Sequence, residues 1–124
     1  NDWQTAFLPP LLKKVYHKND YYKNIKTAFI LHSIDNHRFV SNKSFQYINL
    51  DSDSNVIDIL EQAIKFSDYL IVVDDEKKNL QKLFNKTKNL VSNSKKTKTT
   101  FLEVSPSINW SQTSKKIETI LRKL

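Results

Sequence analysis

Apolar positions along this chain alternate between a helical rhythm and short unbroken runs. Ala6, Phe7, Leu11, Leu12 and Val15 recur near the helical period, which predicts a helix over 3–17 with Asp2 as N-cap and Lys13, Lys14 and Lys18 towards water. Pro9 and Pro10 lie too deep for a clean first turn of that helix, so a kink or an irregular first segment is expected. Thr27 to His32 is a short apolar run between polar flanks and reads as a buried strand of a parallel sheet. Residues 33–54 are polar and mostly loop, with Phe45, Tyr47, Ile48 and Leu50 as candidates for one short element.

The second half repeats the rhythm. Val56, Ile59, Leu60, Ala63 and Ile64 form one helical stripe, capped by Ser54 or Asn55. Tyr69 to Val73 is a second strand, and Asp75 can cap a helix that buries Leu80, Leu83, Phe84, Thr87 and Leu90 or Val91. Ser92 to Lys98 reads as a solvated connection, Thr99 to Val104 as a third strand, and Ile117, Ile120, Leu121 and Leu124 as the stripe of a last helix capped by Ser111. Strands separated by single helices imply right-handed crossovers and an α/β fold, a Rossmann-like parallel sheet with helices on both faces. Three strands make a small sheet, and a further strand would fit naturally just ahead of Asn1.

Length and composition narrow the chemistry. A chain of 124 residues is one domain's worth. Cysteine and glycine are both absent, which excludes disulfides, thiolate chemistry and every Gly-rich phosphate cradle within these residues. The missing cysteine fits a reducing compartment, and the expected location is the cytoplasm. No run of about 18 apolar residues is present, so no membrane is expected. The net charge of +7 raises nucleic acid as a partner. Arg38 and Arg122 are, however, the only arginines among 20 basic residues. The bidentate forks that read phosphates and bases are therefore nearly missing, and a Lys/Asn excess of this kind follows from an AT-rich coding sequence. These points weigh against nucleic acid.

Three stretches resemble one family. Asn1-Asp2-Trp3-Gln4-Thr5-Ala6-Phe7-Leu8-Pro9, with Leu12-Lys13 after it, is similar to the N-D-W-x-T-A-L-L-P-x-x-L-K motif of bacterial glycogen synthases and plant starch synthases. Tyr22 to His32 looks like that family's segment leading to its T-V-F-T-I-H-N strand, and Ala63 to Val72 like its A-(I/L)-x-(F/Y)-(A/S)-D strand entry. Order and spacing are kept apart from a shortened middle loop. The short tail, ending in a helix, is similar to abbreviated single-lobe versions from Bacteroidetes-type bacteria.

The resemblance implies a glucosyltransferase of two Rossmann-like lobes. It would extend an α-1,4-glucan from ADP-glucose with retention of configuration, without metal or other cofactor. This chain, 1–124, would be a truncated acceptor-side N-terminal lobe, its C-terminal half. Its partners would be the nucleotide sugar and the α-glucan, met through the complete enzyme, together with the missing N-terminal half-lobe and a second lobe. The family's matching positions put Asp2 and His32 in the cleft beside the transferred sugar, as candidate catalytic and substrate-binding residues. Ser33, where the family has Asn, and Asp74 at the ligand-facing end of the sheet are further substrate-binding candidates. Open α/β sheets bind ligands at the carboxyl ends of their strands, and a carboxylate with an imidazole there can hold sugar hydroxyls and favour an oxocarbenium-like transition state.

The chain departs from the family pattern at several places. The Q-G after the histidine strand is absent, and Asp74-Asp75 replaces a serine-proline. Val104-Ser105-Pro106-Ser107 carries such a pair, but one strand too late. The lysine-glycine-glycine loop and the nucleotide-gripping residues of the family have no counterpart here, so these residues alone should not turn over. Two other readings stay open: a non-catalytic α/β module that binds glucan or a protein, and a basic nucleic-acid-binding domain. His17 and His37 sit in polar surroundings and are expected on the surface. Asp51, Asp53 and Asp58 lack the glycine and terminal glutamate of a calcium loop, so no metal site is expected.

Overall fold

A computed structural model describes residues 2–48, 54–75, 77–104 and 110–123. The opening helix divides in two, α1 (Asp2–Thr5) and α2 (Leu8–Lys14). The prolines explain the break. Pro9 and Pro10 both fall in the first turn of α2, where a missing N–H leaves no intrahelical bond unmade. Turns then carry the chain to β1 (Ala28–Leu31), so the helix ends three residues before the predicted 17.

β1, β4 (Tyr69–Asp74) and β5 (Lys98–Glu103) form one parallel sheet in the order β1-β4-β5. Ala28 lies opposite Tyr69, and Tyr69 opposite Lys98, so the carboxyl ends of β1 and β4 sit side by side. Every residue of the central strand β4 is buried, which is why its sequence is apolar without alternation. Leu70 and Val72 join the larger core cluster with Leu31, Leu60, Ile64, Phe84 and Leu90. Tyr69, Ile71 and Val73 join the smaller one, closed by Ile117 and Ile120 of α6 (Trp110–Leu121). Helices therefore cover both faces, as the alternation of elements predicts.

The connections depart from the sequence reading at several places. A two-stranded antiparallel sheet of β2 (Phe39–Ser41) and β3 (Val56–Asp58) stands in the stretch read as loop and helix start. Between them, Asn42–Ile48 is a short 3-10 segment, the element anticipated around Phe45 and Ile48; Leu50 lies outside the described residues. Helix α3 (Ile59–Phe66) consequently begins at Ile59, and its cap is Asp58, whose carboxylate accepts the Leu60 and Glu61 amides, not Ser54 or Asn55. The next helix is also divided, into α4 (Asn79–Lys86) and α5 (Lys88–Ser94), because Thr87 is extended and turns its N–H onto the Leu83 and Phe84 carbonyls. Leu80, Phe84 and Leu90 are buried, but Leu83 is exposed. The supposed solvated connection over 92–98 is the end of α5, a buried Thr97 bonded to the Ile64 carbonyl, and the start of β5. Ser111 lies inside α6 and not at its cap.

At the amino end of the sheet, Asp68 fastens three elements. Its Oδ2 accepts the Thr27 N–H at 2.8 Å and lies 2.9 Å from the Lys13 ammonium of α2. Burial pushes this carboxyl up, but the Thr27 bond and Lys13 outweigh it and hold the group below the usual carboxylate range.

Candidate functional site

The carboxyl end of β1 is held by a residue thirty positions earlier in the chain. Asp2 Oδ1 accepts the backbone N–H of His32 at 2.6 Å and of Ser33 at 3.1 Å. Asp2 is thus a clamp on the strand end, and this carboxylate oxygen does not serve as the helix N-cap expected from the sequence. Its backbone takes φ 50°, the left-handed region that Asp tolerates better than most residues. Strained conformations of this kind persist where surrounding contacts over-determine them, and they concentrate at functional sites. The second oxygen, Oδ2, faces the His32 ring, 3.7 Å from Nδ1. Asp2's side chain is 17% exposed and that of His32 40%, so the imidazole is the partner that reaches solvent.

His32 and Ser33 form one wall of a groove of about 350 Å³ at the carboxyl ends of β1 and β4. Ile34, Val73, Leu80 and Leu83 supply its apolar surface, and Asp74, Asp75 and Asn79 its other polar groups. The four candidates therefore fall into one neighbourhood: His32, Ser33 and Asp74 line the groove, and Asp2 stands behind the first two.

Asp74 has a structural task in this wall. Its carboxylate accepts the Asp75 N–H at 2.8 Å, the Leu80 N–H at 3.0 Å and the Gln81 N–H at 2.6 Å. It therefore caps α4 from the strand end, and Asp75 adds weaker bonds to Asn79 at 3.3–3.4 Å. Both aspartates are cap candidates in the sequence, and the buried Asp74 makes the shorter bonds to the helix start. Lys78, between strand and helix, takes φ 54° to let the chain turn back over Asp74.

His37 is exposed yet stacked on Trp3, with ring centroids 5.5 Å apart and planes 22° from parallel. Sequence spacing gives no signal for that pair. His17 lies on the surface, as read. Tyr16, Tyr21 and Tyr22 pack on one another ahead of the amino end of β1, away from the groove. Asp58 caps α3 and lies 3.3 Å from the nearly buried Arg38. Burial pushes its carboxyl up, and Arg38 offsets this only in part. Asp51 and Asp53 lie outside the described residues. Among the described residues no group of three or more His, Cys, Asp or Glu side chains could hold a metal ion, and no helix is long and apolar enough to cross a membrane.

Comparison with known proteins identifies a family for most of the chain. The family described as the starch synthase catalytic domain matches residues 1–90. The glycogen synthase of Alkaliphilus metalliredigens is 33% identical over 84 residues, covering 59% of this chain and 18% of its own length. The glycogen synthase of Clostridium perfringens is 50% identical over 34 residues, 27% of this chain and 7% of its own. Granule-bound starch synthase 1 of Solanum tuberosum is 35% identical over 69 residues, 52% of this chain and 11% of its own. The chain thus spans less than a fifth of the length of each of these relatives. No solved structure matches.

Proposed function

Because this chain belongs to the starch synthase catalytic domain family, we propose that it contributes part of the acceptor-side lobe of a glucosyltransferase that moves glucose from ADP-glucose to the end of an α-1,4-glucan. In the retaining reaction the bond from C1 of glucose to the ADP oxygen breaks and a bond from C1 to a glucan hydroxyl oxygen forms on the same face. The hydroxyl proton leaves with ADP.

The observation that carries the reading is the Asp2–His32 arrangement at the carboxyl end of β1. Asp2 Oδ1 is engaged by two backbone amides, which fixes the carboxylate. Oδ2 can then orient the His32 ring and hold it towards a sugar hydroxyl. From behind the groove wall the Asp2 carboxylate would favour a transition state with oxocarbenium character through the His32 ring that it orients. Asp74 would act through the groove wall that its cap holds in place. By itself the chain is not expected to transfer glucose, since its matched segment is 18% of the length of a relative such as the Alkaliphilus enzyme.

The test is incorporation of labelled glucose from ADP-glucose into glycogen by the parent polypeptide. Asp2→Ala and His32→Ala should each lower kcat by about a hundredfold or more, the range seen when one preorganised electrostatic group is removed. Unchanged incorporation with Asp2→Ala would move the protein to the non-catalytic binding class. That second reading has one observation in its favour: the aspartate pair at the end of β4 is occupied by helix capping.

A further inference from the structure

The charge of this chain is gathered at one end of its sheet. Ala28, Tyr69 and Lys98 lie level with one another, so the starts of β1, β4 and β5 form one edge. Three segments meet there: 13–26, from the end of α2 into β1; 65–68, between α3 and β4; and 95–98, between α5 and β5. Together they hold nine lysines against Asp20 and Asp68, a surplus of seven that equals the net charge of the whole chain. Acidic and basic residues balance over the rest of the sequence. An AT-rich coding sequence spreads lysine along a chain and does not choose an end. Helix dipoles account for part of the surplus, since Lys13, Lys14 and Lys65 sit in the last turns of α2 and α3. Lys18, Lys96 and Lys98 lie beyond the helix ends. Lys13 and Lys26 pair with Asp68, and Lys23 with Asp20. Lys18, Lys65, Lys95, Lys96 and Lys98 are exposed and have no ion-pair partner among the described residues.

We propose that this end of the molecule docks on an anionic membrane surface. Adjacent strands lie about 4.8 Å apart, so the three strand starts fall within about 10 Å of one another. That is close to one Debye length at physiological salt, and a partner meets these charges as one field. All nine cations are lysines. As point charges they suit the diffuse field of a lipid surface, whereas a nucleic-acid phosphate is gripped best by the planar arginine fork. The turn after α2 adds apolar surface beside them, with Val15 and Tyr16 each 42% and Tyr21 79% exposed. Tyrosine is an amphipathic ring that favours the boundary between headgroups and acyl chains. Docking of this kind is peripheral and needs no spanning helix, so the missing apolar run does not bear on it. The groove at His32 lies at the opposite, carboxyl end of the strands and would face away from the lipid. The charge stands whichever reaction that groove serves.

The test is co-sedimentation of the 124-residue chain with vesicles of phosphatidylcholine, either alone or with about one-third phosphatidylserine. Binding is expected only to the anionic vesicles, and it should fall as salt is raised. One lysine near such a surface contributes about fivefold to binding. The triple variant Lys18→Gln/Lys95→Gln/Lys96→Gln should therefore bind about a hundredfold more weakly, with an unchanged melting temperature. Lys43→Gln/Lys77→Gln/Lys82→Gln removes the same charge elsewhere on the surface and should bind like wild type. Tyr21→Ser should weaken binding while keeping its salt dependence. Equal binding to both vesicle types, no binding to either, or equal weakening by the two triple variants would each overturn the inference. Tighter binding to a short single-stranded RNA than to the vesicles at equal anionic charge would also overturn it, and would make this a nucleic-acid face.

Discussion

Asp74→Ala tests whether the strand-end carboxylate is first of all a cap. The wild-type side chain accepts three backbone amides within 3.0 Å, and the residue is 9% exposed. Losing an N-cap aspartate costs about 0.5–2 kcal/mol. The Leu80 amide beneath it is buried and would be left without its acceptor, which adds about 1–3 kcal/mol. A combined loss of about 3 kcal/mol is a large share of the roughly 6–19 kcal/mol expected for a domain of this length. Unfolding entropy of about 2.1 cal/mol/K per residue gives about 0.26 kcal/mol/K for 124 residues. The melting temperature should therefore fall by about 11 °C, read by circular dichroism at 222 nm. Asp74→Asn keeps one acceptor oxygen and should lose about half as much. Asp75→Ala, whose bonds are exposed and longer than 3.2 Å, should stay within about 0.5 kcal/mol of wild type. If Asp74→Ala melts with Asp75→Ala, the capping argument is wrong. Lost glucose transfer by the parent polypeptide at an unchanged melting temperature would be equally damaging, since it would make Asp74 a ligand and not a cap.

Two further outcomes follow from the same geometry. Asp68 is held below its ordinary value, so between its folded pKa and 3.8 the unfolded chain binds more protons than the folded one. Its contribution is full above the unfolded value and is lost as pH falls through the folded one; urea midpoints from about pH 6 to pH 3 should therefore fall less steeply in Asp68→Asn than in wild type, and equal slopes would refute the assignment. Lys78 sits at φ 54°, a region that costs a non-glycine residue roughly 1–2 kcal/mol. Lys78→Gly should raise the melting temperature by a few degrees after the extra chain entropy of glycine is deducted, and a lower value would show that the lysine side chain contributes more than its backbone costs.

Legibility in the sequence tracked how local each cause was. β4 was visible because every position in it is buried, so five apolar residues in a row could be nothing polar-faced. β3 was not, because Val56 and Ile59 also fit a helical stripe. What makes Val56–Asp58 a strand is pairing with Phe39–Ser41, fifteen and more residues away, and no local period reports that. The same holds at Thr87, where helical spacing from Leu80 to Leu90 continues unbroken through a residue that is extended in the fold. At the site the distinction is sharper. The sequence offered Asp2 a role as helix cap by proximity, and the resemblance offered it a place beside His32. The structure joins the two across thirty residues through one oxygen on two amides, at a backbone angle that few residues accept. A helix cap would need no such strain, because capping residues sit in extended backbone. Asp2 is bent out of that geometry to reach the end of β1. The position of His32 in the groove therefore depends on Asp2, whichever sugar the groove receives.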